Sequence, residues 1–400
     1  MYREISTYKF FLFLALISFW AFKGEAQEKK EELSSGAFTS YDKVFRGNVK
    51  DLNIEDYTDG PHFFWIDSVT VKSWVIDHEK EGNTLEVKQK KIKIKTDSVL
   101  VKGQRADKNE YWLRKGEYPV QSAEYSEVSK LLAIGDVHGE YDVMVNLLRN
   151  LGVINENLDW NWGNGHLVFI GDIFDRGNKV TESLYLIKKL QQQAKEQKGR
   201  VHLLLGNHEV MILMNDSRYV APKYKNMCQR LMLNYPRFFA ADTELGKWLR
   251  SLNSVVKIND LLFVHGGLSP DLVDKGLSLE QINMDIRKSL GKENEMTQEE
   301  LMKSVYFPGN PLWYRGYIMK SRSYSIINKE ELNRVLSYYK ANRIFFGHTE
   351  VESIRFLHDN KVGAINVPMG SSEIEPQVMW IENGKFYRGF IDGKRELIEL

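Results

Sequence analysis

The sequence predicts an α/β fold in which a small β-rich module precedes a larger domain of alternating strands and helices. Two patterns of apolar residues support this prediction. Over residues 63–76 and 84–101, apolar and polar residues alternate as they do in half-buried β-strands. From Lys130 onward, short apolar runs are followed by polar loops and then by helix-like stretches. With 42% hydrophobic residues, the chain of 400 residues can bury a sizeable core.

The first 26 residues have the three-part pattern of a secretory signal peptide. Arg3 and Lys9 precede an apolar run over residues 10–22, and small residues suit cleavage after Ala26. An uncleaved membrane-anchoring helix is the alternative, although a full span needs ~20 apolar residues. We expect an exported bacterial protein, periplasmic or secreted, with no stable membrane span after cleavage. A flexible leader is expected over residues 27–40.

Residues 41–125 are predicted to form the small β-rich module. Phe63 to Ile76 and Thr84 to Val101 alternate apolar and polar residues around the turn-forming sequence Glu81-Gly82-Asn83, which is typical of a β-hairpin. The lysine-rich run over residues 88–95 fits the solvated face of a strand, because its lysines alternate with isoleucines. The formal net charge of +1 gives no general electrostatic case for a nucleic-acid partner.

Residues 126–400 are predicted to form the larger domain. Residues 140–151 and 180–190 place apolar side chains on one helix face, so each helix is expected to connect two parallel strands. Such βαβ units bring the ends of the strands to one crevice, where ligands usually bind in open α/β sheets. Residues 211–253 interrupt the series as a helix-rich insertion. We expect its aromatic side chains to form mainly a small core of their own.

Five short polar blocks each follow an apolar, strand-like run of the larger domain. The runs are residues 131–134, 167–170, 201–205, 261–264 and 344–346. The blocks are, in order, Gly135-Asp136-Val137-His138-Gly139, Gly171-Asp172-Ile173-Phe174-Asp175-Arg176-Gly177, Gly206-Asn207-His208-Glu209, His265-Gly266-Gly267 and Gly347-His348-Thr349. Their polar side chains would therefore emerge at the ends of buried strands. Carboxylate, imidazole and amide oxygen are together the ligand set of a two-metal hydrolase.

These five blocks resemble the signature of the calcineurin-like metallophosphoesterase superfamily, and within it of the phosphoprotein phosphatase family. That signature is GDxHG, GDxxDRG, GNHE, HGG and a later GH. The resemblance covers roughly residues 130–390 and implies a β-sandwich with helices on its outer faces. Asn178 departs from the small residue or proline that the family has after the second block. The PLWYRG loop over residues 311–316 and the export signal look more like bacterial, Shewanella-type protein phosphatases.

The resemblance implies a site for two divalent metal ions. The ligands of the first metal are matched by Asp136, His138 and Asp172. Those of the second metal are matched by Asp172, Asn207, His265 and His348. Asp172 would therefore bridge the two ions. Mixed nitrogen and oxygen ligands suit manganese, iron or zinc better than calcium, and the sequence does not choose among these three.

Four further residues are carried over from the family with roles in the reaction. His208, oriented by Asp175, would protonate the leaving-group oxygen. Arg176 would bind two phosphate oxygens with its planar guanidinium group, the alternative being a surface ion pair with Asp175. Arg315, in a loop between the fourth and fifth blocks, would be a second phosphate-binding arginine.

The implied function is that of a dinuclear-metal phosphomonoesterase. It would hydrolyse phosphoprotein on serine, threonine or tyrosine, or small phosphate esters, by attack of a metal-bridging hydroxide. Two alternatives stay open. One is a dinucleoside polyphosphate hydrolase, although those relatives end the third block in Asp where this chain has Glu209. The other is an inactive binding protein whose β-rich module recognises a partner, which the complete set of ligands argues against.

Overall fold

The structure is a computed structural model that describes residues 57–78, 85–102, 110–292, 297, 300 and 306–400. These residues all belong to one compact unit, Phe45–Leu400. The predicted signal peptide, the leader over residues 27–40 and the hairpin turn over residues 81–83 lie outside the described residues and stay predictions. The boundary between the module and the larger domain, predicted near residue 125, also stays a prediction.

Two six-stranded sheets form the centre of the fold. The described strands are, in chain order, β1 (Asp59–Trp65), β2 (Thr70–His78), β3 (Leu85–Lys93), β4 (Ser98–Lys102), β5 (Glu110–Arg114), β6 (Glu124–Tyr125), β7 (Lys130–Ile134), β8 (His166–Phe169), β9 (Arg200–Leu203), β10 (Val255–Ile258), β11 (Leu261–Val264), β12 (Arg343–Phe346), β13 (Arg355–Leu357), β14 (Val362–Ala364), β15 (Gln377–Glu382), β16 (Lys385–Phe390) and β17 (Arg395–Leu397). One sheet has the order β17-β16-β15-β7-β8-β9 and the other has the order β13-β14-β12-β11-β10-β6. Side chains of both sheets share one hydrophobic core, in which the rings of Phe345 and Phe386 lie 5.9 Å apart. The predicted sandwich is confirmed.

Helices flank these sheets and connect their strands. The described helices are α1 (Tyr141–Asn150), α2 (Val180–Glu196), α3 (Asn207–Leu213), α4 (Pro222–Leu231), α5 (Glu244–Leu249), α6 (Pro270–Asp274), α7 (Leu279–Ser289) and α8 (Lys329–Tyr338), with a 3₁₀ helix at Tyr235–Phe239. Strands β7, β8 and β9 are parallel neighbours, and α1 and α2 join them in turn. Both predicted βαβ units are therefore confirmed. α2 buries one apolar face, which includes Leu184, Ile187 and Leu190.

The β-rich module contains more strands than the alternation predicts. Phe63 to Ile76 is not one strand but the facing parts of β1 and β2, which pair in antiparallel fashion. The Asp67 carboxylate makes the turn between them, because it accepts hydrogen bonds from the N–H groups of Val69 and Thr70 at 2.8 and 2.7 Å. β2 also pairs with β3 as the hairpin prediction requires, and the lysines of β3 are exposed.

A buried carboxylate joins this module to the larger domain. Glu244 of α5 accepts hydrogen bonds from Trp65 Nε1 at 2.8 Å and from the backbone N–H of Arg114 at 2.9 Å. It also accepts from the Tyr118 hydroxyl and pairs with Lys188 of α2 at 3.2 Å. One side chain thus ties β1, β5 and α2 together.

The insertion over residues 211–253 contains α4, the 3₁₀ helix and α5, as expected. Most of its aromatic side chains are buried in the core, and these are Tyr224, Tyr235, Phe238, Phe239 and Trp248. Tyr219 differs, being 54% exposed. Within the described residues, none of the helices combines the length and the apolar character that crossing a membrane requires.

Candidate metal centre

The five polar blocks converge on one buried site. They follow β7, β8, β9, β11 and β12 in turn. Hydrogen bonds join blocks that are distant in sequence: the backbone N–H of His208 donates to Asp172 at 3.0 Å and that of His348 donates to Asp136 at 3.1 Å. The six predicted ligands are each at most 8% exposed, and they are Asp136, His138, Asp172, Asn207, His265 and His348.

Several residues of this site have a strained backbone. The non-glycine residues with φ in the left-handed region include His138 (46°), Asp172 (53°), Asp175 (69°), Arg176 (64°) and His348 (59°). Such conformations cost on the order of 1–3 kcal/mol each and persist only where the surroundings hold them. Here the backbone N–H of His138 donates to the carbonyl of Asp172 at 2.8 Å, which fixes the first two blocks against each other. Strain concentrated in the polar blocks in this way is typical of functional sites.

His138 and Asp172 belong to the first group of possible metal ligands. His138, Asp172 and His208 offer ligand atoms within 4.8 Å of one another. His138 Nδ1 donates to the Phe174 carbonyl at 2.7 Å, which leaves Nε2 as the lone-pair nitrogen. That Nε2 is buried without a hydrogen-bond partner and lies 3.7 Å from Asp172 and 3.9 Å from Asp136. A buried imidazole nitrogen that faces two carboxylates fits a cation between them.

Asp172 also belongs to the second group, with His265 and His348. His265 Nε2 lies 3.2 Å from Asp172 Oδ2 and 2.8 Å from the amide oxygen of Asn207. His265 Nδ1 lies 2.9 Å from the carbonyl of Ile170, which orients the ring. The donor atoms of this group are those that a second divalent cation of the transition series prefers.

His208 has a different environment from the other histidines. Its Nδ1 lies 2.6 Å from Asp175 Oδ2, and its Nε2 lies 3.8 Å from Asp172. Burial alone would lower the pKa of His208, but the charge of Asp172 and the hydrogen bond and charge of Asp175 outweigh burial and raise it. The Asp175 and His208 pair can therefore orient and hold a proton at the edge of the site.

Burial and mutual charge separate the pKa values of the predicted ligands. Burial raises the pKa of Asp136 to about 6 and lowers that of His138 to about 4. Burial would raise the pKa of Asp172, yet the charges of His265 and His208 hold it well below its usual range. Burial would lower the pKa of His265, but Asp172 and Asp136 raise it to about 9. A bound cation would replace the proton that His265 otherwise carries.

Glu209 holds the second and third blocks together, a role that sequence reasoning missed. Its Oε2 accepts from the N–H groups of Gly206 and Asp172, and its Oε1 accepts from that of Ile173, each at 2.7 Å. Burial, followed by the charge of Asp172, raises the pKa of Glu209 to about 7. A Cβ atom at position 206 would lie 2.2 Å from Asp172 Oδ1, so only glycine permits this approach.

Asn366 supports the first block and was also missed. Its Nδ2 donates to Asp136 Oδ2 at 2.6 Å, and its Oδ1 accepts from the Asp136 N–H at 3.3 Å. Asn366 comes shortly after β14, a buried strand of three residues. The rule that singled out the five blocks, a polar residue after a short apolar run, would have found it.

The two arginines lie at the rim of the site. Arg176 pairs with Glu350 at 2.9 Å, and both side chains are 54% exposed. Its partner is therefore not Asp175, the alternative considered from the sequence, because Asp175 instead faces His208. Arg315 Nη1 donates to the Thr349 hydroxyl at 3.2 Å and Nη2 lies 3.5 Å from His348 Nδ1.

An open cleft of about 430 Å³ lies near the predicted ligand His348. Its lining residues are Arg218, Tyr306, Pro308, Trp313, Ser321, Arg322, Ser323 and Tyr324. The Trp313 ring lies 5.9 Å from that of His348. Tyr219, which follows the lining residue Arg218 in the chain, has its ring 5.3 Å from that of His208. Tyr314 does not line this cleft, since it is buried against Tyr317.

Comparison with known proteins agrees with this geometry. The sequence profile of the family "Calcineurin-like phosphoesterase" matches residues 129–352. The chain is 32% identical over 226 residues to Shewanella-like protein phosphatase 1 of Plasmodium berghei, a match that covers 56% of this chain and 62% of that protein. It is 31% identical over 142 residues to the symmetrical bis(5'-nucleosyl)-tetraphosphatase of Haemophilus influenzae, covering 34% of this chain and 44% of that protein. The chain thus spans less than two thirds of either relative.

A solved structure extends the likeness to most of the chain. The cold-active protein-tyrosine phosphatase of a psychrophilic Shewanella species superimposes with a TM-score of 0.75 at 34% sequence identity. The superposition covers 86% of this chain and 99% of that one. The predicted resemblance to Shewanella-type phosphatases is confirmed.

Proposed function

Because the chain belongs to the calcineurin-like phosphoesterase family, we propose that it is a metal-dependent protein phosphatase that hydrolyses phosphate monoesters, with phosphotyrosine as the favoured residue. The observation that carries this proposal is the position of Asp172. Its carboxylate belongs to both groups of possible ligands, one with His138 and His208 and one with His265 and His348. A shared carboxylate suits a pair of metal ions rather than two separate ones.

The donor set fits two divalent ions, for which manganese, iron and zinc are the candidates. Asp136, His138 and Asp172 would hold one ion. The other would be held by Asp172, Asn207, His265 and His348. When bound, such a pair activates water and neutralises charge on a phosphoryl group.

Residues around the ligands would donate the proton and bind the phosphate group. His208, held by Asp175 at 2.6 Å, would give a proton to the departing oxygen. Arg176 and Arg315 would bind the equatorial phosphate oxygens, because their guanidinium groups lie at the rim on the sides of Glu350 and His348. Among the described residues, Cys228 is buried and its pKa is raised to about 12 by burial, which makes it unsuited to act as a nucleophile.

The cleft supports the preference for phosphotyrosine. Three aromatic side chains line it, namely Tyr306, Trp313 and Tyr324. An aromatic phosphoester would stack against these rings, whereas phosphoserine has no ring to stack. The similar Shewanella structure is of a protein-tyrosine phosphatase.

A second candidate function is hydrolysis of a dinucleoside tetraphosphate. Its support is the match to the Haemophilus influenzae tetraphosphatase, which covers only 34% of this chain. Comparing turnover of a phosphotyrosine peptide and of diadenosine tetraphosphate on one metal-loaded preparation would separate the two. Faster turnover of the tetraphosphate would replace the first proposal.

The test of the main proposal combines elemental analysis of the purified protein with a peptide panel. Three peptides of one sequence would carry phosphotyrosine, phosphoserine or phosphothreonine. We expect about two metal ions per chain and the highest kcat/KM for phosphotyrosine. Trp313→Ala should weaken this preference, while Tyr338→Ala, an exposed aromatic residue outside the cleft, should not. A protein with two metal ions and no activity on any of these peptides would contradict the proposal.

We also propose export, on the pattern of residues 1–26. Mass spectrometry of the mature protein from its native host should find an N-terminus at Gln27. Retention of residues 1–26 in the mature protein would contradict this.

A further inference from the structure

The rim of the site carries an ion pair that no motif predicts. Arg176 Nη1 lies 2.9 Å from Glu350 Oε1, although the two residues are 174 positions apart. Glu350 directly follows the fifth block, so its carboxylate is two residues from the predicted ligand His348. An acidic side chain at this place is unexpected in a site that binds an anion, because it competes with phosphate for the arginine.

Hydrogen bonds hold the backbone around Arg176 in place, so the ion pair with Glu350 can open or close only by movement of the side chains. Arg176 has a φ of 64°, and its N–H donates to the Tyr219 carbonyl at 3.3 Å. The next residue, Gly177, donates to the carbonyl of His138 at 2.8 Å. A guanidinium group that turns from Glu350 toward a bound phosphate therefore moves without any change in the ligands.

The backbone on the glutamate side is fixed as well. Thr349 accepts a hydrogen bond from Arg315, and the N–H of Val351 donates to the carbonyl of Asn366 at 2.9 Å. Glu350 lies between these two anchored residues, while its own side chain is half exposed. These contacts hold the backbone of Glu350 at the rim, so its carboxylate remains within a side-chain length of Arg176 after the ion pair opens.

A further arginine of the cleft also has an acidic partner. Arg218 Nε lies 2.9 Å from Asp216 Oδ2, and its Nη2 lies 2.8 Å from the same oxygen. The positive charge of Arg176 and Arg218 is therefore balanced by carboxylates before substrate binds. A carboxylate beside each of these arginines lowers the local positive potential that would attract a substrate with several phosphate groups.

We propose that Glu350 is a specificity residue that selects substrates with a single phosphate group against substrates with adjacent phosphates. The inference rests on the proposed phosphatase function and specifies its substrate class. A monoester phosphate displaces Glu350 from Arg176, which costs little because the pair is exposed. A second phosphate group beside the first would lie next to the displaced carboxylate and be repelled by it.

The test compares the binding of orthophosphate and pyrophosphate to the metal-loaded protein by calorimetry. Glu350→Gln should tighten orthophosphate binding about two- to fivefold, the range for loss of an exposed competing pair. It should tighten pyrophosphate binding by a larger factor, on the order of tenfold, since a repulsive charge is also removed. Glu352→Gln is the matched control. Glu352 lies two residues after Glu350 and carries the same charge, but it has no ion pair among the described residues. This substitution should change neither affinity.

Two further variants link the effect to the ion pair. Glu350→Asp keeps the charge and should keep the preference for orthophosphate. In an Arg176→Gln background, Glu350→Gln should no longer tighten orthophosphate binding. Equal tightening of both anions, no tightening of either, or an orthophosphate effect that persists without Arg176 would overturn the proposal. Since calorimetry needs no turnover, these outcomes are distinct from failure of the proposed function, which is absence of phosphopeptide hydrolysis.

Discussion

This protein has two buried clusters of charged residues, one at the candidate metal centre and one that joins two parts of the fold. The first is the metal centre around Asp172, and the second is the cluster around Glu244 between the β-rich module and the larger domain. Glu244 is fully buried and accepts hydrogen bonds from four groups, on Trp65, Arg114, Tyr118 and Lys188. Around Asp172, by contrast, His138 Nε2 is buried without a partner. The Glu244 carboxylate is thus fully hydrogen-bonded, whereas a ring nitrogen of the metal centre has no hydrogen-bond partner.

Backbone strain separates the two clusters further. The metal centre contains left-handed residues such as His138, Asp172 and His348, whereas Glu244 and Lys188 lie in regular helices. An unpaired atom alone is not decisive, because Asp59 Oδ1 is also buried without a hydrogen bond in the β-rich module. The combination of strain, unpaired ring nitrogen and facing carboxylates distinguishes a ligand site from a structural one.

The largest effect is expected for Asp172→Asn, because it weakens both groups of ligands at once. Loss of a residue that only supports a metal ligand costs roughly 10–100-fold in affinity or activity, so loss of a shared ligand should cost more. Elemental analysis and kcat/KM on a phosphotyrosine peptide would measure this. Asp142→Asn, which removes an exposed carboxylate paired with Lys179, is the control and should change neither. Wild-type turnover with full metal content would sink the bridging role of Asp172.

The second prediction concerns the structural cluster. Lys188→Met leaves the buried Glu244 carboxylate without its ion pair and should lower the free energy of unfolding by about 3–5 kcal/mol. Denaturant unfolding would measure this loss. Lys189→Met, which removes a partly exposed pair with Asp159, should cost no more than about 1 kcal/mol. If Lys188→Met instead reduced metal content in the folded protein, the division between the two clusters would be wrong.

His208→Asn tests the proposed role of His208 as proton donor. On an alkyl phosphate such as phosphoserine we expect a loss of about 10²–10⁴-fold, because an alkoxide leaves poorly without a proton. On an activated aryl phosphate the loss should be smaller. His358→Asn, a histidine that contacts the Tyr317 carbonyl, is the control for both substrates. Equal losses on both substrates, with metals retained, would assign His208 to another role.

The pH dependence of turnover tests the same role of His208. The pKa of His208 is raised, so its protonated form persists above pH 6.5 and is lost as pH rises through the folded value. Turnover of the alkyl phosphate should therefore fall on the alkaline side. This fall should be absent from the profile of His208→Asn.

The sequence could predict which polar side chains come together at the site, because its signals are local. Each polar block lies within a few residues of an apolar run, so Asp136, Asp172 and His265 could be found from strand ends alone. The positions of β7, β8, β9, β11 and β12 were predicted to within two residues at either end for the same reason. How these residues act in the reaction stays a prediction.

The structural cluster could not be predicted, because its partners are distant in sequence. Trp65 and Glu244 are 179 positions apart, and nothing near either residue signals the other. Arg176 shows the same limit within the site: a local partner, Asp175, was considered, whereas the observed partner is Glu350. Pairings of this kind are set by how the sheets and helices pack, which a pattern of apolar residues does not specify.

The smallest effect is expected at Asp59, a third buried carboxylate that tests the comparison most directly. Asp59 accepts hydrogen bonds from His62 at 2.9 Å and from Thr181 at 3.2 Å. Burial would raise its pKa, but the charge and hydrogen bond of His62 outweigh burial and lower it from 3.8 to about 2. Because the folded pKa is depressed, this stabilisation is present above about pH 4 and is lost as pH falls toward about 2.

Asp59→Asn should therefore lower the free energy of unfolding by about 2 kcal/mol at neutral pH and reduce the acid sensitivity of stability. Denaturant unfolding between pH 7 and pH 3 would measure both. Asp77→Asn, on the exposed side of β2, should have a smaller effect because its carboxylate is more than a third exposed. The folded Asp59→Asn protein should keep its metals and its kcat, since Asp59 has an unpaired oxygen but no place among the ligands. A drop in kcat at full metal content would mean that Asp59, which is not among the predicted ligands, also contributes to the reaction. Backbone strain would then no longer distinguish a functional cluster from a structural one.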